Sequence, residues 1–167
     1  MENLHPAQWP IERLEQECRW EFGRGSGPGG QHRNKVETLA RVEHVPSGIR
    51  AAAGEERSQG KNRVVAMQRL RCELAVQMRE VRSRGGRWSE YCRGGKIRVS
   101  QSNEEYPGLL AEAIGVIVEF GGDLTAAAQE LGTSATQLVK FLASYPPALE
   151  WLNAERQKAG LAPRIPR

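Results

Sequence analysis

Cysteine is scarce and scattered. Cys18, Cys72 and Cys92 are three thiols with no Cys-x-x-Cys pair, and His5, His32 and His44 complete no metal-ligand spacing. An odd thiol count of this kind fits a reducing compartment. A metal site would have to be assembled from distant side chains, and the expectation is no metal and no cofactor. Long apolar runs are missing too. The first residues are acidic and interrupted by Pro6 and Pro10, with nothing long enough for a signal peptide or a membrane span. A cytoplasmic chain without membrane contact is expected. With 167 residues, 39% of them hydrophobic and 26% charged, the chain can bury one moderate core and a small second one, which excludes a large multidomain machine.

Acidic residues thin out in the middle. Residues 1–56 hold 7 basic and 9 acidic side chains, residues 57–98 hold 12 and 3, and residues 99–167 hold 5 and 8. A local cationic excess of that size is a footprint for a polyanion, most simply nucleic acid, because phosphate binding scales with the number of cations presented together. A solvated basic helix is the simpler alternative.

The apolar periodicity predicts an α+β architecture: a small sheet packed on one long helix, followed by a small all-α module. Ile11–Glu17 reads as a short acidic helix opened by Pro10. Cys18, Trp20 and Phe22 then alternate with polar residues as a strand with one buried face. Residues 24–31, RGSGPGGQ, are too rich in glycine for helix or paired strand and must be a loop. Thr38–Val45 resumes a strand, Val45–Gly48 fits a type I turn, and Ile49–Ala53 closes a hairpin. Met67, Leu70, Leu74, Met78 and Val81 recur at steps of three and four, which predicts a helix from about Ser58 to Arg84. Its opposite face carries Arg63, Arg69, Arg71 and Arg82; with Arg84 and Arg87 these are the candidate RNA contacts.

The division expected from composition is residues 1–84, a basic connector at 85–99 with a short strand at Lys96–Val99, and a helical module at 100–167. In the module, Leu110, Ala113, Ile114 and Ile117 mark one helix. Asp123 caps a second running to Leu131. Gly132 turns the chain, Ser134 and Gln137 form a capping box for a third, and a fourth runs from Pro147 to Gly160.

The glycine loop fails as a nucleotide P-loop, because it runs into Gly30, Gln31 and His32 rather than Gly-Lys-Ser/Thr. It fails as a nucleophile elbow, because Arg24 and Pro28 flank Ser26 where glycines are required. A dinucleotide fingerprint would need an alternating strand and helix series, and a hairpin follows instead. What survives is Gly29-Gly30-Gln31 with no acid, base or nucleophile. Consecutive glycines still let backbone N–H donors approach a reacting centre, where one such donor is worth on the order of a hundred-fold to a thousand-fold in rate. Alignment and water exclusion would then come from a partner. A loop that merely turns the chain is the plain alternative.

The run SGPGGQHRNKVET from Ser26 to Thr38, followed by RSQGKN from Arg57 to Asn62, closely resembles the hydrolase domain of class I peptide chain release factors, over roughly residues 18–82. The resemblance implies hydrolysis of the ester joining a nascent peptide to tRNA, with water as nucleophile, in the peptidyl transferase centre of the large ribosomal subunit. Its implied partners are large-subunit rRNA and P-site peptidyl-tRNA. Carried over, Gly29 and Gly30 permit the backbone shape and the Gln31 N–H stabilises developing charge, while the Gln31 side chain places the water and is a candidate for methylation. Ser26, Gly27 and Pro28 shape the loop, and Asn34 and Lys35 anchor its far side. Arg57, Ser58, Gln59 and Asn62 support it from the start of the long helix, where a capping role for Ser58 is equally open.

Two departures bear on function. Only 25 residues precede Ser26, so stop-codon reading is not expected, and the tail is acidic and helical where codon-independent rescue hydrolases carry a basic, disordered one. The expectation is a monomeric, ribosome-dependent hydrolase acting in ribosome rescue. The alternatives are a noncatalytic ribosome- or RNA-binding regulator and a DNA-binding regulator built on the helix-turn-helix-like stretch Ala126–Leu142. That stretch has one basic residue, Lys140, in acidic surroundings, so protein docking by the C-terminal helices is the better reading.

Overall fold

A computed structural model describes residues 4–24, 38–79 and 86–166. Their contacts form two units, one of Trp9–Leu74 and one of Met1–Gln8 with Ala75–Arg167.

In the first unit Pro10, with extended backbone, precedes α1 (Ile11–Glu15), whose Leu14 is fully buried. Three antiparallel strands follow in the order β1-β2-β3: β1 (Cys18–Gly23), β2 (Leu39–His44) and β3 (Ile49–Ala53). The ladder sets Cys18, His44 and Ile49 in one row, Trp20, Val42 and Ala51 in the next, and Phe22, Ala40 and Ala53 in a third. Residues directly opposite share a face, so the aromatic side of β1 meets small residues on β2 and β3. Trp20 and Phe22 stack in parallel with centroids 5.9 Å apart. The other face carries Arg19, Glu43 and Arg50 side by side, with Glu43 Oε2 2.9 Å from Arg19 and 3.1 Å from Arg50.

The β2–β3 turn starts one residue earlier than the proline and glycine positions predict. Both Ser47 N and Gly48 N donate to His44 O, at 3.2 and 2.8 Å. Gly48, at φ +70°, supplies the left-handed residue that closes the loop. The His44 ring is buried and held at both nitrogens, by Ser47 Oγ at 2.7 Å and Glu17 Oε2 at 3.1 Å.

Helix α2 (Gln59–Gln77) buries Ala66, Met67, Leu70 and Leu74, as the periodicity requires. It ends seven residues short of the expected Arg84. Beyond Gln77 the Met78 carbonyl meets the His5 ring, at 3.3 Å, and Arg79 Nη1 donates to Val76 O. Val81 lies outside the described residues.

In the second unit α3 (Trp88–Tyr91) leads into the hairpin β4 (Cys92–Arg93) and β5 (Lys96–Ile97), then α4 (Tyr106–Glu119), α5 (Leu124–Glu130), α6 (Ala135–Ala143) and α7 (Pro146–Lys158). Asp123 caps α5 as read from the sequence, and of the box expected at Ser134 and Gln137 the structure shows the serine half. Asp123 Oδ1 accepts from Thr125 N and Ala126 N, and Ser134 Oγ accepts from Gln137 N. Within the expected connector Trp88 belongs to this unit's core: it is buried, its Nε1 donates to Leu131 O at 2.8 Å, and its ring meets Phe141 edge-on. The Tyr106 hydroxyl pairs with Ser144 Oγ at 2.7 Å. No helix among the described residues is long and apolar enough to cross a membrane.

The 3-10 turn Pro6–Gln8 packs on α4. His5 is buried beside it, accepting from Ala7 N at Nδ1 and donating from Nε2 to Met78 O. One neutral tautomer satisfies both partners, whereas protonation would aim a second N–H at that of Ala7. Burial lowers its pKa from 6.5 to about 4, against the Met78 bond, which raises it. The unfolded chain therefore binds the proton first on acidification. Stability is held above 6.5 and falls as pH drops towards 4, by up to about 3 kcal/mol. Glu112, raised by burial from 4.5 to about 6, acts in the opposite direction. The difference between wild type and His5→Gln in urea midpoints across this pH range isolates the first effect. The wild type is expected to lose more stability on acidification, and parallel curves would show that folding leaves the His5 pKa unchanged.

Candidate functional site

The candidate loop connects two strand ends that the sheet holds side by side, since Gly23 and Leu39 are register partners at the end of the β1–β2 ladder. Ser26, Gly27, Pro28, Gly29, Gly30, Gln31, Asn34 and Lys35 lie outside the described residues. What the structure shows is the support from which that connection springs.

The support centres on Asn62, a polar side chain with no solvent exposure. Its Nδ2 donates to Thr38 O at 2.6 Å and to Glu56 O at 2.9 Å, while its Oδ1 accepts from Glu56 N at 3.0 Å. One amide thus ties the start of α2 to the 54–58 segment and to Thr38, the residue just before β2. Ser58 sits at the helix start: its carbonyl takes the first helical bond, from Asn62 N, and its Oγ accepts from Lys61 N at 3.4 Å. Arg57, Ser58 and Gln59 are exposed on the same approach. The second sequence motif therefore contributes one buried strut and an exposed rim.

The arginines proposed for RNA occupy different settings. Arg63 pairs with Glu15 at 2.8 Å and lies over the Trp20 ring, 4.9 Å from its centroid. Arg69 bonds Ala52 O at 2.8 Å and pairs with Glu55, whose carboxyl is held below the usual range first by the Gly54 N–H and further by Arg69. Arg71 is buried, only 4% exposed. Arg87 bridges Glu90 and Glu105 at 2.7 and 2.5 Å. Arg82 and Arg84 lie outside the described residues. Glu15, Trp20 and Glu55 are neighbours that the periodicity of α2 gave no means of finding, since they come from other elements.

Solvent-exposed ion pairs contribute about 0–1 kcal/mol each. Leaving a buried donor or acceptor unmatched costs about 1–3 kcal/mol, so Asn62 outweighs the arginine pairs around it. Burial also raises the Cys18 thiol to about 11 and the Cys72 thiol to about 12, which makes both poor nucleophiles at neutral pH. Among the described residues no group of three His, Cys, Asp or Glu side chains could hold a metal ion.

Replacing Asn62 with leucine removes three bonds and strands the Thr38 carbonyl and both Glu56 backbone groups. The expected loss is roughly 3 kcal/mol in a urea titration, with faster amide exchange at Glu56. A change within the error of the titration would show that the strut carries no weight.

The model of the RF-1 domain family matches residues 7–105. Among curated proteins, peptide chain release factor 1 of Acidiphilium cryptum (strain JF-5) is 47% identical over 75 residues, 45% of this chain and 21% of that protein. The factor 1 of Leptospira biflexa (serovar Patoc, strain Patoc 1 / Ames) is 46% identical over 70 residues, 42% and 20% of the two chains. Peptide chain release factor 2 of Paramagnetospirillum magneticum (strain ATCC 700264 / AMB-1) is 47% identical over 64 residues, 38% and 17%. The chain thus spans about a fifth of the length of the curated relatives it matches. With the family model covering more than half of its length, including the small antiparallel sheet and the long helix behind it, this chain belongs to the RF-1 domain family of release factors.

Proposed function

We propose that this protein hydrolyses the ester of peptidyl-tRNA on the ribosome without reading a stop codon, in the rescue of stalled ribosomes. The observation that carries the reading is the run Ser26–Thr38 with its Gly-Gly-Gln, set between the paired ends Gly23 and Leu39 in a chain of this family. Gly29-Gly30-Gln31 supplies no acid, base or nucleophile, so its contribution is oriented main-chain N–H groups, above all that of Gln31. Water attacks the ester carbonyl, the bond from the acyl carbon to the terminal ribose oxygen breaks, and the peptide leaves as a carboxylic acid while the ribose oxygen regains a proton. The large-subunit rRNA aligns the P-site ester and excludes bulk water. The Gln31 side chain positions the attacking water and is the candidate for methylation. The chain acts as a monomer in the cytoplasm, with the C-terminal helices left for a protein partner.

Release of labelled peptide from stalled ribosomes tests this. Gly30→Ala is expected to lower the rate about a hundred-fold or more, on empty, truncated and stop-codon mRNA alike. An unchanged rate, or equal hydrolysis of peptidyl-tRNA free in solution, would overturn the mechanism. Salt-sensitive ribosome binding with no release would instead identify a noncatalytic regulator.

A further inference from the structure

Among the described residues, the cations proposed for RNA from the sequence and a second group of cations on the β4–β5 hairpin have different surroundings. Arg63, Arg69 and Arg87 each have a carboxylate partner. Arg93, Lys96 and Arg98 are exposed, and among the described residues none has a carboxylate within salt-bridge distance. Glu90, bridged to Arg87, is the carboxylate whose pKa the charge of Arg93 helps to lower, after Arg87.

The hairpin gathers these three on one side. Cys92 and Ile97 are partners, as are Arg93 and Lys96, and the ladder continues through Arg98 N to Tyr91 O at 2.9 Å. Strand alternation then sends Cys92 and Ile97 one way and Arg93, Lys96 and Arg98 the other. The first pair faces the helices, with Cys92 Sγ 3.7 Å from Gly132 O and Ile97 beside Phe141 in a shallow cleft. Lys96 and Arg98 stand about 7 Å apart along the strand, close enough to engage neighbouring phosphates of one nucleic-acid strand.

Two further features set this face apart from an ordinary solvated surface. Arg93 and Lys96 are directly opposite, an arrangement of like charges that opposes strand pairing. The turn between them is Gly94-Gly95, at φ +56° and +74°, the tight two-residue form that brings the strands closest. The tip is also fastened from behind, since Thr133 Oγ1 donates to Gly95 O at 2.7 Å. The cations are thus held together by a rigid support in spite of their repulsion, which a phosphate strand would relieve.

We propose that the outer face of the β4–β5 hairpin, formed by Arg93, Lys96 and Arg98, is a contact for the phosphate backbone of structured RNA. The choice of RNA among polyanions rests on the ribosomal reading above; the cation cluster does not. The test is binding of the full-length chain to a labelled A-form RNA hairpin and to isolated large ribosomal subunits over a range of salt. In the combined variant Arg93→Gln, Lys96→Gln, Arg98→Gln, the slope of log K against log salt is expected to fall by about 2 to 3 and affinity by roughly tenfold or more. Lys96→Arg is expected to keep both. Should the combined variant lose its thermal transition, Arg98→Gln alone, outside the paired tip, must lower the slope by about 1. Unchanged slope and affinity overturn the proposal, as does hairpin-dependent binding to phosphatidylserine vesicles without binding to RNA. Gly30→Ala is expected to slow release as stated above and leave these binding curves in place, so failure of the hydrolase reading and failure of this one are read separately.

Discussion

A primary amide deep in a protein has to find partners for two N–H groups and a carbonyl, and Asn62 finds all of them on main chain rather than on other side chains. That choice makes it a constraint on backbone position. Thr38 is fixed from the helix side, while Gly23 is fixed from the sheet side by its ladder partner Leu39. The exposed pairs Arg63–Glu15 and Arg69–Glu55 surround this strut but sit in water, where screening leaves them little strength. A loop that acts through main-chain donors has no long side chain with which to correct a misplaced backbone. In the reaction proposed above, accuracy in its two anchor points is the protein's share of the chemistry.

The elements themselves were legible because their signals are local. Alternation around Trp20 and Val42, the three-and-four stripe of Met67, Leu70 and Leu74, and the caps Asp123 and Ser134 all rest on neighbours within a turn or a strand. The misses rest on distant partners. The stripe of α2 continues in the sequence through Met78, yet the helix ends at Gln77 and the Met78 carbonyl meets the ring of His5 from 73 positions away. Trp88 lies between glycine pairs in a basic stretch, which reads as connector, but the Leu131 carbonyl gives its indole a buried partner. Composition divides the chain near 84 and 99, whereas contacts group it at Gln8 and Leu74. For the candidate site, Asn62 was legible only through its motif, since nothing in local periodicity separates a buried asparagine from an exposed one.

Charge shows the same limit. A count of basic residues finds the excess in the middle of the chain but cannot tell a cation that is already neutralised from one that is available. Arg87 and Arg93 are six positions apart; one sits between two glutamates and the other faces solvent on a hairpin. Only a cation with counterions still to release adds to the binding of a polyanion.

The grouping of Met1–Gln8 with Ala75–Arg167 makes the sheet-bearing unit an insertion within the other one. During synthesis, everything that the Trp9–Leu74 unit needs has been made by Leu74. The turn at Pro6–Gln8 must instead wait for α4, whose residues Tyr106–Glu119 come about a hundred positions later. Order of emergence therefore lets the unit carrying the loop supports mature first, and the small N-terminal hook is the last of the early residues to find its place.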